Sequence, residues 1–201
     1  TLWRNELDAY IEKHLDFFHS LSPVPVHATA PPLAHIMGNA AAQARVGPMA
    51  SVAGAFAQAV GEYLRNTLHV DEVIVENGGD IYLDTRQDAR IGIYAGSSPL
   101  SGKLALRIPR SSMPLGVCTS AGTVGPSLSL GQTDATVTLC HSAALADAYA
   151  TTLGNLVKTP PDMEQALAMA QKLPDLLGCV IIIEDKLGAW GDVELSPVSA
   201  K

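Results

Sequence analysis

Val73-Ile74-Val75-Glu76-Asn77-Gly78-Gly79-Asp80-Ile81-Tyr82-Leu83 sets two short apolar runs on either side of a double-glycine turn. Glycine takes positive φ without steric cost, and Asn-Gly between apolar runs is the strongest short-range signal for a β-hairpin. Working outward from that hairpin, further strands are expected over 91–94, 104–108, 117–120 and 135–140. A Gly/Ser-rich stretch, 122–131, separates the last two. Before the hairpin, apolar residues at helical spacing predict helices over 2–18, 33–45 and 49–64. The third of these carries small residues, Gly54 and Gly61 among them, on one face, where another element could pack very close. After the strands comes a helix of small residues over 142–152 with Ser142 as N-cap, then a helix following Pro160-Pro161. The chain closes on a hairpin, 179–183 with 189–195. Helices and strands come in blocks rather than in alternation. This predicts an α+β fold with a largely antiparallel sheet, and one domain over residues 1–201.

Composition bounds the function. The 201 residues are 47% hydrophobic and 16% charged, which suits a well-filled core and excludes disorder. A net charge of -7 without a lysine or arginine cluster excludes nucleic acid as a partner, since phosphate contacts need concentrated positive charge. No apolar run reaches the roughly 18 residues of a membrane span. Cys118, Cys140 and Cys179 are odd in number and form no Cys-x-x-Cys pair, so a reducing cytoplasm is expected and a zinc or redox pair is not. The chain opens at Thr1 without methionine or a signal-like segment, as a trimmed N-terminus would.

Two segments carry chemistry. In Ala146-Asp147-Ala148-Tyr149-Ala150-Thr151 an aspartate lies among alanines, where neighbouring backbone comes close and a buried carboxylate needs a partner. Thr151 is one helical turn on, on the same face. A carboxylate and a hydroxyl so placed can share a hard cation such as Mg²⁺; equally, Asp147 can face solvent or cap a neighbouring loop. Asp134, before the preceding strand, is a second carboxylate, but a strand running back toward the turn sets it near the helix's far end rather than beside Asp147. The double-glycine turn is either a plain hairpin or a site whose glycine N–H groups meet a phosphate or carbonyl, with Asp80 positioning a polar group. Thr119-Ser120 either cap a strand or add hydroxyls to the same site. No Gly-x-Ser-x-Gly elbow, Walker lysine or His-x-x-x-His pair occurs.

Taken in order, Gly78-Gly79-Asp80, Thr119-Ser120 and Ala146-Asp147-Ala148-Tyr149-Ala150-Thr151 resemble the ApbE-like family, whose best-known members are FAD:protein FMN transferases. The resemblance covers residues 46–155 or so. It implies an α+β fold with helices on antiparallel sheet, Mg²⁺ held by Asp147 and Thr151, and a flavin nucleotide, FAD, contacted by Asn77, Gly78, Gly79, Asp80, Thr119 and Ser120. It implies transfer of FMN from FAD to a hydroxyl of an acceptor protein. No general base is named by it; Glu76, Asp80 and His141 are the candidates. Three departures stand out. Glu76 takes the place of the family's asparagine, Ala121 follows Thr119-Ser120 in place of glycine, and Gly125-Pro126-Ser127-Leu128-Ser129 replaces the family's His-Ile-x-Asp-Pro segment. These mark a compact ApbE-like branch in which flavin binds and transfer is weak or absent. Two other functions compete: a non-catalytic nucleotide-binding module, and a structural subunit whose small-residue helix packs across a homo-oligomer interface.

Overall fold

The computed structural model describes residues 2–123 and 129–198, so 125–128 of the segment that replaces the family's histidine motif lie outside the described residues. Six helices, α1 (Leu2–Ile11), α2 (Leu15–His19), α3 (Pro32–Ala44), α4 (Val52–Asn66), α5 (Ala143–Leu156) and α6 (Asp162–Ala170), lie with nine strands in an α+β arrangement. Strands β1 (Val73–Asn77), β2 (Asp80–Asp84), β5 (Leu115–Ser120), β6 (Ala135–Cys140), β7 (Gly178–Ile183) and β8 (Lys186–Gly191) form one sheet in the order β1-β2-β5-β6-β7-β8. All its pairings are antiparallel. A second antiparallel sheet joins β3 (Ala89–Gly92), β4 (Leu104–Ile108) and β9 (Glu194–Pro197).

Strand alternation makes the layers. In β6, Ala135, Val137 and Leu139 join Leu115, Val117, Leu106 and Ile108 in an apolar core that includes side chains of both sheets. Cys140, Cys118 and Cys179 belong to the other core, with α1, α3, α4 and α5. The larger sheet is thus buried on both faces, and all six residues of β6 and of β7 are buried. Thr138 can lie under α5 because its Oγ1 donates to the Ala146 carbonyl at 2.6 Å. The three cysteines are free and buried.

Three expectations need correction. The helix expected over 2–18 breaks after Ile11, and α2 begins at Leu15. The break turns Phe17, rather than Phe18, into the core, where it meets Tyr10 edge-on at 5.2 Å; Leu15 and Phe18 are left exposed. The closing hairpin is shorter and differently completed. Lys186 already pairs with Ile183 in β8, whereas Glu194–Pro197 crosses to the other sheet and pairs with β4. Finally, α5 is not left bare for a partner chain. Every residue from Ala143 to Ala150 is buried, against α3, α4, β5 and β6 of the same chain.

Candidate functional site

The β1–β2 turn, the start of α4, the end of β5 and the middle of α5 converge on a cavity of about 700 Å³. Its floor is set by close backbone approach. A Cβ on Gly54 would press on the Ala143 carbonyl and stand 2.8 Å from the Asp147 Cβ, so only glycine lets α4 lie this close to α5. Asp147 Oδ2 accepts the Gly54 N–H at 2.9 Å, and the Ala53 N–H also points to this carboxyl. These are two of the first N–H groups of α4, which have no partner inside their own helix. The usual capping residue, Ser51, donates its hydroxyl to the Pro48 carbonyl at 3.0 Å and makes no side-chain cap to α4. Asp147 therefore caps α4 from another helix, the capping role weighed in the sequence. It also lines the cavity together with Thr151.

Asp80 is the second carboxylate of the site. It is buried, accepts the Thr119 N–H at 3.2 Å, and lines the same cavity as Asp147. Burial pushes Asp80 up to about 7, against the Thr119 bond, and the Glu76 charge adds a little. Burial and then the Asp80 charge hold Asp147 well above the ordinary carboxylate range, against the Gly54 and Ala53 N–H groups. Both carboxylates together also raise the buried Cys118 thiol, after burial itself. Asp134, the other carboxylate weighed in the sequence, is elsewhere. It accepts the Thr123 hydroxyl at 2.8 Å and the Glu184 N–H at 2.7 Å, tying a loop to the β7–β8 turn.

Glu76, Gly78, Gly79, Thr119 and Ser120 line the cavity with Asp80. The glycines have φ of 67° and 103°, the left-handed turn that Asn-Gly predicted. The N–H of Gly79 is not free for a ligand, because Glu76 Oε1 accepts it at 2.8 Å. Asn77 does not line the cavity; its amide donates to the Ala53 carbonyl at 3.2 Å and ties the turn to α4. His141 is not there either. It precedes the N-cap of α5, with Nδ1 3.0 Å from the Pro114 carbonyl.

Other walls had no local sequence signal. Phe18, His19 and Leu21, around the end of α2, and Tyr94, after β3, line the mouth. Phe18, Leu21 and Tyr94 are exposed there. No lysine or arginine lines the cavity among the described residues. Nor do three or more His, Cys, Asp or Glu side chains gather into a metal-binding group among them.

The profile of the family described as AbpE bacteria matches residues 1–184. The chain belongs to that family. Its relatives place it on a branch of the ApbE-like family. A UPF0280 protein of Methanocaldococcus jannaschii is 40% identical over 195 residues, covering 94% of this chain and 78% of the relative. A UPF0280 protein of Methanocella arvoryzae is 40% identical over 188 residues, covering 94% of this chain and 76% of the relative. The fold is shared with the apo flavinyl transferase ApbE of Pseudomonas stutzeri, at a TM-score of 0.51 and 21% identity over 73% of this chain. This ApbE-like chain spans about half of that transferase, 49% of its length.

Proposed function

We propose that the cavity binds a flavin nucleotide, FAD, as its Mg²⁺ complex, and that the chemistry available there is transfer of FMN from FAD to a hydroxyl of an acceptor protein: the hydroxyl oxygen bonds to the FMN phosphorus, the diphosphate bond breaks and AMP leaves with the hydroxyl proton lost to solvent. The observation that carries this reading is the buried pair Asp80 and Asp147, beside Thr151, in a cavity with no lysine or arginine in its lining among the described residues. Two carboxylates and a hydroxyl are hard oxygen donors, and they suit Mg²⁺. Fewer than three acidic or imidazole ligands hold that ion weakly, so phosphate oxygens and water complete its shell. Once ionised, the same two carboxylates repel a bare diphosphate. Nucleotide and cation therefore belong together in this site.

When bound, Mg²⁺ neutralises charge on the phosphate oxygens that phosphoryl transfer places there. The chain's own residues do the rest. Asp147, fixed by the N-terminal N–H groups of α4, keeps its carboxylate at the floor. Asp80, fixed by the Thr119 N–H, faces the same space. Glu76 holds the shape of the double-glycine turn through Gly79. Phe18, Leu21 and Tyr94 offer apolar surface at the mouth to the planar ring of the nucleotide.

The first test is direct. Titration with FAD should give saturable binding in Mg²⁺ and little without it, and mass spectrometry after incubation with an acceptor peptide should find FMN on a serine or threonine. Binding without product supports the non-catalytic module instead, a reading favoured by Gly125-Pro126-Ser127-Leu128-Ser129, where the resemblance calls for a histidine. Absence of binding in either condition removes the flavin reading.

The carboxylate pair also predicts a pH dependence. A carboxyl whose pKa is raised in the folded state stabilises it fully below the unfolded value, near 4, and loses that contribution as pH climbs through the folded value. For Asp80 that window ends at about 7. The melting temperature of the metal-free protein should therefore fall between pH 5 and pH 8. Added Mg²⁺ should restore more of it at pH 8 than at pH 5, because the ion binds the ionised pair. A melting temperature that rises over this range in metal-free buffer would show both carboxylates to be compensated by other groups.

A further inference from the structure

The far end of the β1–β2 hairpin, where Val73 pairs with Asp84, carries a second cleft of about 310 Å³. Four residues along the strand separate it from the glycine turn, roughly 13 Å at about 3.3 Å per residue. Three arginines, Arg65, Arg86 and Arg110, line it together with Asp71, Asp84 and Thr85. The chain has 13 lysines and arginines against 20 acids, so three guanidinium groups in one cleft run against its overall charge.

Their partners leave donors to spare. Arg65, in the last turn of α4, pairs through Nε with Asp84 at 2.8 Å. Its Nη1 donates to the carbonyls of Val70 at 2.9 Å and Asp71 at 2.6 Å. These contacts fix its plane and leave Nη2 uncommitted among the described contacts. Arg86 pairs through Nη2 with Asp71 at 2.5 Å, and both side chains are more than half exposed, at 61% and 72%. Such an exposed pair contributes little and rearranges easily. Arg110 is exposed; its backbone N–H donates to Asp88 at 3.0 Å, while its guanidinium enters none of the described ion pairs or hydrogen bonds. A backbone donor is weakly held as well, since the Thr85 N–H meets only the Met113 thioether at 3.1 Å, and sulfur is a poor acceptor. Glu72 and Asp88 stand nearby but accept backbone N–H groups, those of Arg86 at 2.6 Å and Arg110 at 3.0 Å.

We propose that this cleft is a binding site for a phosphate-class dianion, separate from the nucleotide cavity and independent of the flavin reading. Three guanidinium groups line the cleft beside the carboxylates of Asp71 and Asp84, and Nη2 of Arg65, the exposed guanidinium of Arg110 and the Thr85 N–H are the donors left for a ligand. Arginine forks match the paired oxygens of a phosphate; charge-assisted bonds to it are stronger than the carbonyl and sulfur contacts of Arg65 and Thr85, and the exposed Arg86–Asp71 pair opens to admit it. A dianion gains from all three arginines, whereas a monoanion gains little over the aspartates already there.

Calorimetric titration in metal-free buffer at low salt tests this, with inorganic phosphate in one arm and glycerol phosphate in the other. Arg110→Gln and Asp147→Asn tell the two sites apart, so heat that Arg110→Gln removes and Asp147→Asn leaves comes from the arginine cleft. The wild-type protein should bind at least one probe at one site per chain, and the stronger arm tells free phosphate from a phosphomonoester. Arg110→Gln should weaken that binding ten-fold or more, and Arg110→Lys should recover part of it, because a point charge remains without the fork. Asp147→Asn should leave it unchanged. Arg110 is exposed, so unchanged circular dichroism is expected for both of its variants. No saturable heat from wild type, or equal binding by wild type and Arg110→Gln, overturns the proposal, and either result leaves the FAD titration standing on its own.

Discussion

Gly54→Ala should destabilise the protein by about 1–3 kcal/mol, the usual range for forcing an extra methyl group into a well-packed interior. For a chain of this size that is a fall in melting temperature of roughly 2–12 °C. The added Cβ would strike the Ala143 carbonyl, which is backbone within α5, and approach the Asp147 Cβ to 2.8 Å. Neither neighbour can turn aside as a flexible side-chain end could. α4 must then move away from α5, and the Gly54 N–H leaves Asp147 Oδ2 as it goes. The variant should lose stability and Mg²⁺-dependent nucleotide affinity together. Gly78→Ala makes the contrast: the space around Gly78 is open, and the cost comes from its φ of 67° alone. That strain is on the order of 1 kcal/mol. Thermal melts of the two variants separate the effects. A Gly54→Ala protein as stable as wild type would mean that the α4–α5 contact is looser than its geometry states.

The same glycine shows how far local pattern reaches. The small-residue face of the helix containing Gly54 was visible in the sequence as a surface for close packing, as were the hairpin, the strands 104–108 and 135–140, and the helix begun at Ser142. These are legible because period and turn chemistry are properties of neighbouring residues. What Gly54 packs against was not legible, because Ala143 lies 89 positions away. Local pattern did not show Asp80 meeting Asp147 for the same reason; only the resemblance put the double-glycine turn and that helix in one pocket. The sequence weighed Asp134 as a second carboxylate and set it near the far end of the helix, not beside Asp147; antiparallel register carries it to the β7–β8 turn and brings Asp80 beside Thr119. Asn77 and His141 belong to the right segments but point to other partners, the Ala53 and Pro114 carbonyls. At the two ends of the chain, single side chains decided the outcome. Phe17 turns inward at the cost of a continuous first helix, and Leu195 joins the core containing both sheets instead of extending β8.

Asp147→Asn should abolish most of the Mg²⁺-dependent affinity for FAD, by ten-fold or more, or about 1.4 kcal/mol and upward. The substitution nearly keeps the shape of the side chain, and an amide oxygen can still accept the Gly54 N–H now bonded to Oδ2. It removes the negative charge that a hard cation needs and that Asp80 alone supplies weakly. Stability should move the other way in metal-free buffer above pH 7. There burial and the Asp80 charge hold the wild-type carboxyl well above the ordinary carboxylate range, so it costs either a proton taken up or a charge desolvated and repelled, and a neutral amide escapes that cost. The variant should thus melt at or above the wild-type temperature without Mg²⁺ and gain less from adding it. These opposite signs separate a metal-holding aspartate from one that only caps α4. A purely capping Asp147 would lose stability as asparagine, because the charge favoured at a helix N-terminus is gone, and would leave FAD titrations in Mg²⁺ unchanged. That pair of results would return Asp147 to a structural role and leave Asp80 and Thr151 too weak a set for the cation.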